Sequence, residues 1–241
     1  MSTKILSPAT PLAAPAQGSR RVVDATTRML HWLMALSFTG AYITADGDRW
    51  LMVHVTLGYT LAGLVVCRLL WGLIGPRQAR LTVLLRKLQG LPDWLRSLTR
   101  LEPDWRRGQN LVMATVVALI VVLVLPVTLS GYAFWEDWGG RWLKHVHEFF
   151  GDAMLTVVLA HIALIALLSL LRRKNQATPM LTGRVAGAGP DVAKRNHGVL
   201  AMVVLAGVLA FWVWQWREAP QSAAAHVSAS AHNRHHIDDE N

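Results

Sequence analysis

Residues 145–171 read HVHEFFGDAMLTVVLAHIALIALLSLL. From Phe149 to Leu171 the run is long and apolar enough to cross a bilayer as a helix, which takes about 17–25 mostly apolar residues. The alternation of a membrane strand is absent, and a helix satisfies its own backbone hydrogen bonds in lipid. Two histidines, His147 and His161, stand 14 residues apart. At about 100° per residue they differ by about 40° in phase and about 21 Å in height. They share one face at two depths. His145 falls about 160° from His161 and is set aside on helical phase.

Four further apolar segments flank this one: Met29 to Ile43, extended at its ends by Ala25–Arg28 and Thr44, then Trp50 to Ile74, Leu111 to Phe134 and Gly198 to Trp216. The expected fold is all-α and membrane-embedded, a four-helix transmembrane bundle followed by a fifth, C-terminal transmembrane helix. Composition agrees. Charged residues make up 16% of the chain, against about 25% in soluble domains, and the mean hydropathy is +0.31.

The net charge of +9 does not imply nucleic acid, because the basic residues cluster in alternate loops. The segment before the first span, the loop 75–109 and the loop 172–197 carry 18 Lys and Arg, and the intervening loops with the C-terminal tail carry 5. The basic side is the cytoplasmic one, so the N-terminus is expected inside and the C-terminus outside, in a bacterial inner membrane. Tryptophans form matching belts: Trp32 and Trp71 near the inner surface, and Trp50, Trp135, Trp138, Trp142 and Trp216 near the outer. Within loop 75–109, Leu81, Leu84, Leu85 and Leu88, and again Leu91, Trp94, Leu95, Leu98 and Leu101, recur at helical spacing between arginines. These are expected to be short amphipathic helices on the cytoplasmic surface.

Ionisable residues inside spanning helices are costly and face a bundle interior or a cofactor. With the topology above, His31 lies near the inner end of the first span and His54 near the outer end of the second. His147 is outer and His161 deeper. Matching depths pair His31 with His161 and His54 with His147. Two histidine pairs at two levels are what two bis-histidine haems require, each iron taking one axial nitrogen from each face. The sequence has one cysteine, Cys67, and no CxxCH motif. The two haems b are therefore expected to be non-covalent, and no iron–sulfur cluster can be held.

Gly58 follows His54 by four residues and Gly151 follows His147 by four, one turn along the same face. Both are expected to leave room for a flat macrocycle, although glycine also serves helix packing. Arg68, 14 residues after His54, lies at the inner level, suited either to an inner-haem propionate or to snorkelling to the surface. Pro126 should kink the third span.

Several short motifs, in this order and spacing, resemble a known group. They are Arg28-Met29-Leu30-His31-Trp32, the His54 to Gly58 segment, Arg68-Leu69-Leu70-Trp71-Gly72 with Gly75-Pro76-Arg77, and His147-Glu148 with His161. The group is the prokaryotic di-haem cytochrome b561 family, which includes the cytochrome b subunit of membrane-bound nickel–iron hydrogenases. The resemblance covers about residues 20–175. It implies axial ligands at His31, His54, His147 and His161. It also implies electron exchange between the membrane quinone pool and a redox partner, such as an extracytoplasmic c-type cytochrome or dehydrogenase. The chain would then be an electron-transfer subunit of an oxidoreductase, with no catalytic acid–base set of its own.

The expected organisation is a disordered cytoplasmic tail, 1–19, and a di-haem domain, 20–175, followed by a cytoplasmic loop with the fifth helix, 176–216. A flexible extracytoplasmic tail, 217–241, carries His226, His232, His235 and His236. Two other readings remain open. One is a stand-alone oxidoreductase acting on superoxide, a quinol or ferric iron. The other is a haem-free transporter of metal or protons.

Overall fold

The computed structural model describes residues 18–76, 79–100 and 104–238, with side chains for all of these except 48 and 219–238. Most of the expected tail 1–19 lies outside the described residues. The elements in chain order are β1 (Ser19–Arg21), α1 (Ala25–Ile43), α2 (Leu51–Ile74), α3 (Leu81–Gln89), α4 (Leu91–Thr99), α5 (Trp105–Trp135), α6 (Trp142–Arg172), α7 (Thr178–Thr182), β2 (Arg184–Ala186) and α8 (Gly198–Asp238).

Local chemistry sets the helix ends. Asp24, fully buried, caps α1: its carboxylate accepts from Thr27 N and Thr27 Oγ1, both at 2.9 Å. At the other end Thr44 Oγ1 donates to the Gly40 carbonyl at 2.7 Å. The second helix stops at Gly75-Pro76, where an extended glycine and a proline cannot continue the turn. Asp104 caps α5 through Arg107 N at 3.0 Å, so that helix begins six residues before the apolar run at Leu111. Arg173, in the left-handed region at φ 47°, ends α6.

Four helices meet in one core. Phe38 of α1, Leu61 and Val65 of α2, Val124 and Val127 of α5 and Met154 of α6 form a single buried cluster. A second cluster joins Leu30 and Leu33 of α1 to Leu64 and Trp71 of α2, and Val204, Leu205 and Val208 of α8 pack against it. Trp212 Nε1 donates to Thr60 Oγ1 at 2.9 Å, tying α8 to α2. The last helix therefore flanks the four-helix core.

The outward faces are apolar: Val122, Leu129, Leu170 and Val199 are all more than 60% exposed. Surface of that kind belongs in lipid, where helices associate by packing and hydrogen bonds instead of by the hydrophobic effect. Among the described residues, four helices are long and apolar enough to cross a membrane: α2, α5, α6 and the Gly198–Glu218 part of α8. The first helix is not among them. It has 19 residues and carries Arg28 and His31 besides several hydroxyl side chains.

Two short helices, α3 and α4, occupy the loop where leucine spacing placed them; Leu101, the end of the second run, lies outside the described residues. Trp94 of α4 covers Gly108 of α5, and its Nε1 donates to the Asp104 carbonyl at 3.2 Å. The short helix α7 and the strands β1 and β2 had no counterpart in the sequence reading. The strands β1 and β2 pair antiparallel, Arg20 opposite Val185, and fasten the segment before α1 to the one before α8. Gly183 makes the turn at φ 78°, with the Val23 carbonyl where a Cβ would come within 2.8 Å. The backbone of α8 remains helical past Trp216 to Asp238.

Candidate functional site

The bundle is two helical hairpins. α1 packs closely on α2, α5 packs closely on α6, and the close approach between hairpins runs along α2 and α5. All four singled-out histidines lie on these hairpins: His31 on α1, His54 on α2, and His147 and His161 on α6. Each expected pair therefore spans from one hairpin to the other. Because α6 is unbroken from Trp142 to Arg172, His147 and His161 keep their common face and their separation of about 21 Å.

The rings of His54 and His147 meet edge-on, with centroids 5.9 Å apart and planes 89° apart. Both imidazoles are held from behind. His54 Nδ1 donates to the Ala41 carbonyl at 2.8 Å. Ala41 is in the last turn of α1, where carbonyls lack their intrahelical N–H donors, and its oxygen also accepts from Thr44 Oγ1 at 3.2 Å. His147 Nδ1 donates to the Val127 carbonyl of α5 at 2.9 Å. A carbonyl partner can only accept, so each ring carries its proton on Nδ1 and keeps the Nε2 lone pair for another atom.

Gly131 makes the second contact possible. A Cβ there would lie 2.8 Å from His147 Cε1 and 3.0 Å from its Nδ1. Helical Cβ atoms tilt towards the N-terminus, so any side chain at 131 would cover the Val127 carbonyl one turn earlier. Gly131, Val127 and Ala41 were not among the residues singled out from sequence. The glycine was visible there as a gap in the third span; the two carbonyls have no side-chain signature at all.

His31 lies on α1 and His161 on α6, the second expected pair. His31 stacks edge-on against Trp32, centroids 5.4 Å apart. His161 Nδ1 is buried and has no hydrogen-bond partner among the described residues. The inner pair thus lacks the carbonyl anchors of the outer pair. Arg68, half-buried, donates from Nη1 to the Ala79 carbonyl at 3.2 Å and lies against Gly72. That carbonyl, in the turn after α2, is a partner that the sequence reading did not name.

His145 points away from this site and is exposed, 3.4 Å from Glu148. His197 starts α8: its carbonyl accepts from Ala201 N and from Thr26 Oγ1, and its ring meets Trp71 edge-on at 5.1 Å. The tail histidines fall where side chains are not described.

The outer pair fits haem on three counts. First, two imidazoles with ring centroids 5.9 Å apart, each with its Nδ1 proton on a carbonyl, could hold one haem iron between them. Second, a Cβ at Gly58 or Gly151 would meet nothing within 4 Å, so the space beside each histidine is open. Third, each level offers two imidazoles, and no group of three or more His, Cys, Asp or Glu among the described residues is placed to hold a metal ion. A bare ion needs about four ligands, whereas a haem iron brings its four equatorial nitrogens with it. The buried, unpartnered His161 Nδ1 marks the inner level as another place for a ligand.

These features describe a helical membrane protein with histidines set between its helices. Comparison with protein families matches residues 22–183 to prokaryotic cytochrome b561. The chain belongs to that family, and its class is that of membrane b-type cytochromes that bind haem b and take part in electron transfer. Searches of curated proteins and of solved structures return no match.

Proposed function

We propose that this chain is a di-haem cytochrome b of the bacterial inner membrane that carries electrons between the quinone pool and an extracytoplasmic redox partner, such as a c-type cytochrome or a dehydrogenase. His54 and His147 are the axial ligands of an outer haem, and His31 and His161 those of an inner one. The observation that carries the reading is the facing pair His54–His147, both Nδ1 protons committed to backbone carbonyls.

Haem b, when bound, supplies a reversible one-electron iron couple. The protein's part is to hold and tune it. The carbonyl bonds from Ala41 and Val127 fix each ring's tautomer and orientation and raise its basicity as a ligand. Gly58 and Gly151 leave the flanking space free. The apolar core of Phe38, Leu61, Val65, Val124, Val127 and Met154 keeps water from the bundle centre and lowers the local dielectric, which strengthens any charge interaction there. Arg68 sits at the inner level, with one N–H on Ala79 and others left for an acidic group.

In this reading the chain spans the bilayer five times. α1 has 19 residues, about 28 Å of helix, close to the hydrocarbon thickness of about 30 Å. The excess of Lys and Arg before α1, in 75–109 and in 172–197 puts the N-terminus in the cytoplasm and α3 and α4 on its surface.

An absorption spectrum of the purified protein tests the assignment. Dithionite reduction should give sharp Soret and α bands, and haem extraction should return about two haems b per chain. A colourless protein, or one that takes up no haem on reconstitution, would refute it.

A further inference from the structure

A cleft of about 690 Å³ opens between the start of α1, α7 and the start of α8, in the part of the fold closed by the β1–β2 pair. Its walls are apolar and include Met29, Leu181, Val199 and Met202, the last three all more than 50% exposed. One charged group lines it, the guanidinium of Arg28. Arg28 Nη1 donates to the Leu181 carbonyl at 2.9 Å, while Nε is buried without a partner. Gly183 packs on it so tightly that a Cβ would stand 3.2 Å from Nε. No carboxylate pairs with Arg28 among the described residues. The nearest acid in sequence, Asp24, is committed to the α1 cap.

A guanidinium with five N–H groups and one protein acceptor is an unfilled site for an anion with several oxygens. Arg20 and Arg184 stand on the paired strands β1 and β2, and Lys194 and Arg195 on the segment leading into α8, a basic surrounding in sequence that favours a net negative headgroup over a zwitterionic one. The apolar walls favour a chain over a water-soluble anion. Trp32, whose Nε1 donates to the Met180 carbonyl at 3.0 Å, stands on the cleft like an interfacial tryptophan at headgroup level.

We propose that this cleft binds an anionic phospholipid, its phosphate on Arg28 and an acyl chain along Met29, Val199 and Met202. Basic pockets between membrane helices on the cytoplasmic side bind acidic lipid headgroups in this way. The lipid would add a link between α1, α7 and α8 beside the strand pair and the bonds from Thr26 to the His197 carbonyl and from Trp32 to the Met180 carbonyl. It would also touch Trp32, which is edge-on to His31. The proposal depends on membrane insertion and not on haem.

Native mass spectrometry of the delipidated full chain in mild detergent, with phosphatidylglycerol or phosphatidylcholine added, tests it. The expected result is a preference for phosphatidylglycerol of about fivefold. It should be lost in Arg28→Gln and kept in Arg28→Lys. Met202→Trp, which fills the cleft but leaves the charge in place, should weaken both lipids and remains informative if Arg28→Gln does not fold. Equal retention of the two lipids by the wild type, or an unchanged preference in Arg28→Gln, would overturn the proposal. So would displacement of phosphatidylglycerol by millimolar inorganic phosphate alone or by an equimolar quinone.

Discussion

His54 and His147 face each other across the two hairpins with ring centroids 5.9 Å apart, and each ring is tethered from behind by a carbonyl of a third element. Ala41 of α1 holds His54 and Val127 of α5 holds His147. All four helices of the core therefore meet at one level, two giving imidazoles and two giving the carbonyls that aim them.

Gly131→Val should damage this level selectively. The new Cβ would stand within 3.0 Å of the His147 ring, displacing it from the Val127 carbonyl. Loss of such an outer contact costs about 10–100-fold in metal-site affinity. Haem transfer to apomyoglobin should show the outer haem leaving roughly that much faster, with the inner haem unchanged. Equal stability of both haems would mean that Gly131 serves packing alone.

Asp24→Ala should loosen the chain without touching either histidine pair. Its carboxylate is fully buried and satisfies Thr27 N and Oγ1. Removing an N-cap costs about 0.5–2 kcal/mol, which should appear as a lower thermal midpoint in detergent with the reduced spectrum intact.

On the proposed five-span reading, the two ends of the chain lie on opposite sides of the membrane. In a Cys67→Ser background, a cysteine at Ser7 should be shielded from an impermeant maleimide in intact cells, and one at Ser228 should react. Equal labelling of both would remove α1, or another helix, from the set of spans.

Much of the architecture was legible because long apolar runs and helical phase are carried by side chains. The extents of α1 and α2, the two amphipathic helices in 75–109 and the common face of His147 and His161 all follow from residue type and spacing. His145, set aside on helical phase, is exposed, with Nδ1 3.4 Å from Glu148. What sequence could not supply were contacts made by backbone. The carbonyls of Ala41, Val127 and Ala79 look the same in every residue, and their choice as partners depends on how helices end and approach. The β1–β2 pair joins two three-residue strands far apart in the chain, too short for any alternation to register. The start of α5 at Trp105 rests on one capping aspartate, a signal easily passed over next to a strong apolar run.

The most direct test of the account is haem stoichiometry in paired histidine variants, read by pyridine haemochrome against protein concentration. The wild type should hold two haems, and His54→Ala and His147→Ala one each. The His54→Ala/His147→Ala double variant should still hold one, because both residues serve the same iron. The His54→Ala/His161→Ala double variant should hold none. A double variant lacking His54 and His147 that loses both haems, beside one lacking His54 and His161 that keeps one, would contradict the pairing.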